Sequence, residues 1–355
     1  MDLEIAKGQL DIIIKKARVH LYKPIQIAEI LYRSRVYQDI SLAKIETYRT
    51  QSRRWRDEIC AKFLGRKSTS SAKFQDNLFE SNAVPPEVLV ILGRANESGI
   101  GAKAGAVEAY IYDAFHTRYL QMSNGLDLVR DATPENFNLK DFLESFRREP
   151  GLARSIDKIF EIIVYALFSS LLDSLDAQIG VRVESNQILE EFSDFAEKIL
   201  TLTPDKPEVN FRPHVYRVGV TNAADRGLDM WANFGLAIQI KHLSLTSAMA
   251  ESISTGISAD RIVIVCKDCD RDTLVSVLRQ FGVGGRIQSV VTESELIDWY
   301  ERALRGHCAE KLNNLVLTRL ANEIVAEFPS TSDGEFEAFW SSRDYEIPNR
   351  DFWTT

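Results

Sequence analysis

The chain has 355 residues, 45% of them hydrophobic and 26% charged, with a formal net charge of −8. That length has room for two domains, the composition is that of a soluble globular protein, and the acidic balance argues against indiscriminate binding to nucleic acid. The longest apolar run, 159–172, is broken by Glu161 and two serines, so no membrane span is expected, and the acidic, amphipathic start is unlike a signal peptide.

Residues 1–150 read as a mainly helical region for DNA recognition or dimerisation. Apolar residues recur at helical spacing over 3–35 (Leu10, Ile13, Ile14, Ala17, Leu21, then Ile27, Ile30, Leu31), with Pro24 opening a second segment. The same spacing through Leu42, Ile45, Tyr48, Trp55, Ile59 and Phe63 predicts helix over 41–64, ended by Gly65. Between Lys44 and Lys73 lie nine basic and three acidic residues, an excess of six that leaves the remainder at −14. Concentrated positive charge is what a polyanion partner needs. Arg53, Arg54, Arg56, Arg66, Lys67 and Lys73, with Ser70 and Gln75, are the candidate contacts to DNA. Cations and hydroxyls hold phosphates, whereas forked donors and amides read base edges. The plainer alternative is a solvated helix face followed by a polar loop. Residues 82–86 read as a turn and 93–105 as a Gly-rich loop without the Gly-Lys-Ser/Thr ending of a phosphate loop. A helix begins near Ala106, and 123–151 reads as a linker with a short helix at 139–147.

From 151 to 310 the pattern becomes α/β (α+β). An apolar helix at 154–175 leads to a strand at 178–184 and an amphipathic helix at 187–202. Residues 215–220 and 236–241 are rich in β-branched residues and bounded by turn signals, which reads as a hairpin. A short helix at 247–255 follows, then strand 261–266, helix 272–281, strand 287–291 and helix 293–305. This order implies a mixed central sheet flanked by helices. Residues 311–355 read as a further helix, 312–328, and an irregular polar tail. The four cysteines make no disulfide framework; Cys266 and Cys269 have zinc spacing but no second pair, so they read as a strand-end pair in a cytoplasmic, reduced protein.

The hairpin carries the chemistry. Asp225-Arg-Gly-Leu-Asp229 is followed ten residues after Asp229 by Gln239-Ile-Lys241. Alternation puts Gln239 and Lys241 on one strand face and Ile238 and Ile240 on the other, and turns His242 away from Lys241. Buried polar groups of this kind need partners, and a metal with its ligands is one such arrangement. Magnesium takes one or two carboxylates plus substrate phosphate. Asp229 supplies one and Gln239 a neutral oxygen, so a second carboxylate is required. Asp225 is near in sequence, but Glu161 is the better candidate because it is a lone charge on an apolar helix. An ion pair of Glu161 with Lys158 or Arg154 is its ordinary alternative. The Lys241 ammonium can orient an attacking water and stabilise charge on a phosphate.

This arrangement resembles the PD-(D/E)XK nuclease superfamily over about 150–290: a helix donating Glu, a hairpin carrying Asp, and a strand carrying Glu-x-Lys. Gln239 departs from the Glu, a departure shared with branches similar to Mrr-type nucleases. The stretches Ala224-Asp-Arg-Gly-Leu-Asp-Met-Trp-Ala-Asn-Phe234, Ala237-Ile-Gln-Ile-Lys-His-Leu243, Trp55-Arg-Asp-Glu58 and Ser70-Ser-Ala-Lys-Phe-Gln-Asp76 further resemble HaeII-type restriction endonucleases. The resemblance implies a restriction-endonuclease-like core and Mg²⁺-dependent hydrolysis of double-stranded DNA at a short palindrome (RGCGCY). It also implies a homodimer and a cognate DNA methyltransferase in the same system, with no direct contact. Asp229, Gln239, Glu161 and Asp225 would hold the metal and Lys241 would act on the water. A repair or modified-DNA nuclease using the same site is the second reading. A non-catalytic DNA-binding regulator, docking through 25–64, is the third.

Overall fold

The structure, a computed structural model, describes every residue except 1, 18–20, 66, 69–77, 80–83, 98–104, 149–154, 219–227, 271–285, 329–332, 347–352, 354 and 355. The chain forms two compact units. One comprises 1–131, 141–156 and 324–355; the other comprises 132–140 and 157–323.

The first unit is helical: α1 (Leu3–Lys16), α2 (Tyr22–Tyr32), α3 (Gln51–Leu64), α4 (Pro86–Glu97), α5 (Ala106–Arg130), α6 (Leu139–Arg148) and, from the far end of the chain, α13 (Asp333–Ser342). Helix α3 ends at Gly65 with φ 61°, a left-handed stop that glycine adopts without strain. Three expectations are corrected here. The helix expected over 41–64 begins only at Gln51, because 41–50 form turns and a 3-10 turn in which Thr47 and Tyr48 bond to backbone carbonyls at 41, 42 and 44. Gly93, read as a loop residue, lies inside α4, where a Cβ would meet Leu42 Cδ1 at 2.3 Å. Its smallness serves close packing. The expected linker is helix as far as Arg130.

The polar tail is structured as well. Phe336, Phe339, Tyr345 and Trp353 are buried in the core with Leu10, Ile27, Phe63 and Val107. Phe339 meets the rings of Phe63 and Tyr112 with centroids 4.9 and 4.8 Å apart. Arg343 grips the buried Glu29 with both terminal nitrogens, at 2.6 and 3.0 Å, and lies 3.7 Å over the Tyr32 ring. Arg35 grips the fully buried Glu108 through Nε and Nη2, at 3.0 and 2.9 Å, and Tyr345 OH donates to Glu108 at 2.7 Å.

The second unit is built on a five-stranded sheet, β3 (Val215–Arg217), β4 (Met230–Ala232), β5 (Leu236–Lys241), β6 (Arg261–Cys266) and β7 (Ile287–Thr292), in that spatial order. The first three strands are antiparallel and the last three parallel, the mixed sheet the sequence implied. The hairpin is shifted from its expected position: β5 turns back onto β4 through 233–235, with Gly235 at φ 83°, and β3 lies outside β4. Ala237, Ile262, Ile264 and Cys266 join α10 (Ser247–Gly256) in one core, while Met230, Ile238 and Ile240 are buried on the opposite face. α7 (Ile156–Ser174) is apolar along most of its length, and α11 (Glu293–Arg305) packs on it through Tyr300 OH, which donates to Ile163 O at 2.9 Å. α12 (Ala309–Glu327) follows. The expected helix at 187–202 is two pieces, α8 (Asn186–Glu191) and α9 (Ser193–Leu200), between β1 (Ile179–Arg182) and β2 (Glu208–Phe211). The expected helix at 272–281 lies outside the described residues.

Truncating one member of a buried, bidentate ion pair leaves the other charge stranded, at a cost of about 3–5 kcal/mol. Arg343→Ala is therefore expected to destabilise the first unit by about 3 kcal/mol in urea unfolding. A change below about 0.5 kcal/mol, as for an exposed residue, would show that the tail does not hold the unit together.

Candidate active site

The site begins with the pairing of β4 and β5. Asp229 precedes β4 and is fixed to β3 by its carbonyl, which accepts from Val218 N at 2.9 Å. Its side chain reaches across to β5, where Oδ2 accepts from the Ile240 amide at 2.7 Å and from the Gln239 side-chain nitrogen. Among the described residues Oδ1 accepts no hydrogen bond. The carboxylate is thus oriented through one oxygen and available through the other. Burial raises its pKa above the usual carboxylate range, while the Ile240 amide, Lys241 and Lys158 pull it down.

Gln239 is buried, 3% exposed, at the centre of the sheet beside Ile264 of β6. A glutamate here would put a second negative charge where the amide nitrogen now donates to Asp229. Lys241 ends β5 two residues on, half-buried. It is near enough to Asp229 to act on that carboxylate, and among the described residues its ammonium makes no hydrogen bond or ion pair.

Glu161 sits on α7, 9% exposed. Its carboxyl is raised first by burial; Lys158 lowers it, Asp229 raises it and Arg217 lowers it. The Lys158 ammonium pairs with it directly. The ordinary reading of Glu161 is met, since its ion-pair partner Lys158 lies one turn away, and the carboxyl also feels the charge of Asp229. Asp157, at the start of α7, pairs with His242 Nδ1. Asp225 lies outside the described residues.

Among the described residues no three acidic, histidine or cysteine side chains form a metal cluster. A magnesium site needs fewer, since it keeps waters and takes substrate phosphate. Two carboxyls raised by burial, one of them raised further by the other, would each be eased by a divalent cation, so their chemistry is compatible with that ion. Cys266, by contrast, is buried at the end of β6, its thiol pushed up to about 12 by burial.

The proposed DNA-contacting residues divide. Arg54 is exposed, its side chain 84% accessible, and pairs with Glu58 at 3.1 Å; Arg53 is half-buried and Lys67 exposed. Arg56 is a correction: it is 1% exposed and bonds to Gln26 at 3.1 Å and Asp57 at 2.7 Å, so its guanidinium is committed inside the first unit. Arg66, Ser70, Lys73 and Gln75 lie outside the described residues. Arg33, outside the 44–73 segment, lines a shallow surface pocket with Gln51, Arg54, Trp55 and Glu58 and pairs with Asp39. Lys158 is the ion-pair partner the sequence offered for Glu161, whereas the pairing of Asp157 with His242 was not anticipated.

A family model described as HaeII restriction endonuclease matches residues 6–345. Type II restriction enzyme HaeII of Haemophilus aegyptius is 52% identical over 346 residues, 97% of each chain. Type II restriction enzyme NgoBI of Neisseria gonorrhoeae is 53% identical over 345 residues, 96% of this chain and 97% of that one. No solved structure matches the chain significantly.

The charge on Asp229 is opposed by burial, so it costs stability above the raised pKa and nothing below the ordinary carboxylate range. Asp229→Asn, which keeps an acceptor for the Ile240 amide, is expected to raise the Tm of the metal-free protein at about pH 8 by about 2 °C and to change little at about pH 4. Gln239→Glu replaces a donor by a like charge and should lower the Tm at about pH 8, with Mg²⁺ restoring it. Equal melting of both variants and the unsubstituted protein would sink this account of the site.

Proposed function

The chain belongs to the HaeII restriction endonuclease family, and from that premise we propose that it hydrolyses a phosphodiester on each strand of a short palindromic DNA duplex with Mg²⁺ held by Asp229 and Glu161. It is a type II restriction endonuclease. The observation that carries the site assignment is the Asp229 carboxylate clamped through Oδ2, with its other oxygen available, beside a lysine that has no partner among the described residues.

Mg²⁺ bound there would supply Lewis-acid stabilisation of charge on the scissile phosphate. The Gln239 carbonyl would offer the ion a third, neutral oxygen, and its amide nitrogen keeps Asp229 in place. Lys241 orients the water for in-line attack and offsets negative charge as the phosphate is attacked. Lys158 offsets the charge of Glu161 through a direct ion pair. Burial of Asp229, Gln239 and Glu161 strengthens each of these interactions relative to water.

Arg53, Arg54 and Lys67 serve as phosphate contacts on the first unit. The Arg54–Glu58 pair is exposed and worth little, so a phosphate can replace the glutamate at small cost. A second copy of the chain is expected in the active form, because a palindrome presents two symmetry-related bonds. The family resemblance supports an RGCGCY site and a methyltransferase that protects it, acting without direct contact. No helix among the described residues is long and apolar enough to cross a membrane.

Plasmid digested with Mg²⁺ should give discrete bands, and EDTA should abolish them. Asp229→Ala is expected to slow cleavage by about 10²–10³-fold or more while retaining duplex binding in a gel shift; Glu161→Ala and Lys241→Ala should behave alike. Normal cutting by Asp229→Ala would place the site elsewhere. A smear or structure-dependent nicking would favour the repair reading. Salt-sensitive binding without any cleavage would leave only a regulator.

A further inference from the structure

Between α7 and β3 the chain makes an excursion in which β1 and β2 pair only with each other among the described residues. Between those strands run α8 and α9, joined at Phe192. Across 186–200 only Leu189 and Ala196 are buried. Ile188, Phe192, Phe195 and Ile199 are instead 60, 52, 57 and 64% exposed. Ile188 and Phe192, then Phe195 and Ile199, are each spaced by four residues, so each helical piece carries an apolar stripe and the two stripes adjoin at Phe192. The combined stripe carries no charge. Glu190, Glu191, Asp194 and Glu197 fall at other angles, against the single cation Lys198, which reaches Asp194 only at 4.0 Å.

An apolar stripe of this size on an otherwise solvated helix calls for an occupant. The acidic flank excludes duplex DNA, whose phosphates would meet four carboxylates and one ammonium. The four side chains with Leu200 present roughly 500 Å² per copy, so two copies would bury roughly 1,000 Å² in total, the lower bound of a specific protein interface. Because the same patch would serve on both sides, the contact is isologous and closes on itself as a two-fold dimer. We propose that the stripe on α8–α9 is the surface through which two copies of this chain associate. The proposal rests on the restriction-endonuclease reading, which requires two active sites for two strands.

The full-length chain is compared with Phe195→Glu/Ile199→Glu by sedimentation velocity at micromolar concentration, with thermal melting as the check on folding. The expected result is a dimer that the double substitution converts to a monomer with unchanged Tm. The dimer should hold or tighten as NaCl rises from about 0.1 to 0.5 M, the opposite of DNA binding, because salt screens the acidic flanks. On supercoiled plasmid the variant should accumulate nicked circles, with second-strand cutting slowed by about tenfold or more. A photo-crosslinking residue at position 195 should give a product of twice the chain mass, a readout that holds even if the double variant misfolds. A protein that stays monomeric at all concentrations, a variant that stays dimeric, or a crosslinker that yields no doubled product overturns the proposal. If the dimer dissociates as expected but the unsubstituted protein leaves plasmid intact, the nuclease reading fails while the interface stands.

Discussion

The Ile240 amide and the Gln239 side chain both donate to one oxygen of Asp229, and this clamp across the β4–β5 pairing organises the second unit's chemistry. It requires the antiparallel register that sets Met230 opposite Ile238, and it requires β5 to be central so that its polar side chains are shielded. Burial raises the carboxyl's pKa, which leaves the charged form dependent on cations. Lys241 and Lys158 supply part of that compensation. Glu161 meets the same condition from α7, with Lys158 as partner and Asp229 as a competing charge. In the proposed function a divalent cation supplies the rest of that compensation.

The first unit shows the contrasting solution to the same problem. Glu29 and Glu108 are buried at least as deeply, but each is held by a bidentate arginine and a tyrosine hydroxyl. Their lone pairs are used, so they bind helices together and have no capacity left for a ligand. Glu29 and Glu108 differ from Asp229 in the use of their oxygens: both have arginine and tyrosine donors, whereas Asp229 Oδ1 accepts no hydrogen bond among the described residues. A raised pKa alone would not distinguish them, since burial also raises Glu29.

Elements with one strong local signal were legible from their residues. The apolar helix over 156–174, β6 and α11 stand almost where periodicity put them, because each has a single face or period and clear end signals, such as the capping box at Thr292 and Glu295. The tail was not legible. Its aromatics are scattered among polar residues, and their burial depends on α2, α3 and α5, which lie more than two hundred residues away. Gly93 misled for a related reason: a glycine tolerated for close approach to Leu42 has the same letter as one that breaks a helix. Arg56 belongs to a basic run, yet its position on α3 turns it inward toward Gln26. Net charge over a window does not record which way a helix faces.

The sequence by itself determined the motif, Asp229 with Gln239-Ile-Lys241, the demand for a second carboxylate, and Glu161 as a candidate for it. Those follow from alternation along a strand and the cost of a lone charge on an apolar helix, both local properties. Only the tertiary structure decided that the glutamine nitrogen faces Asp229, that Glu161 shares Lys158 while feeling Asp229, and that the apolar stripe of α8–α9 stays uncovered. Each depends on which atoms of distant segments meet after the chain has packed, and no spacing along the sequence encodes those distances.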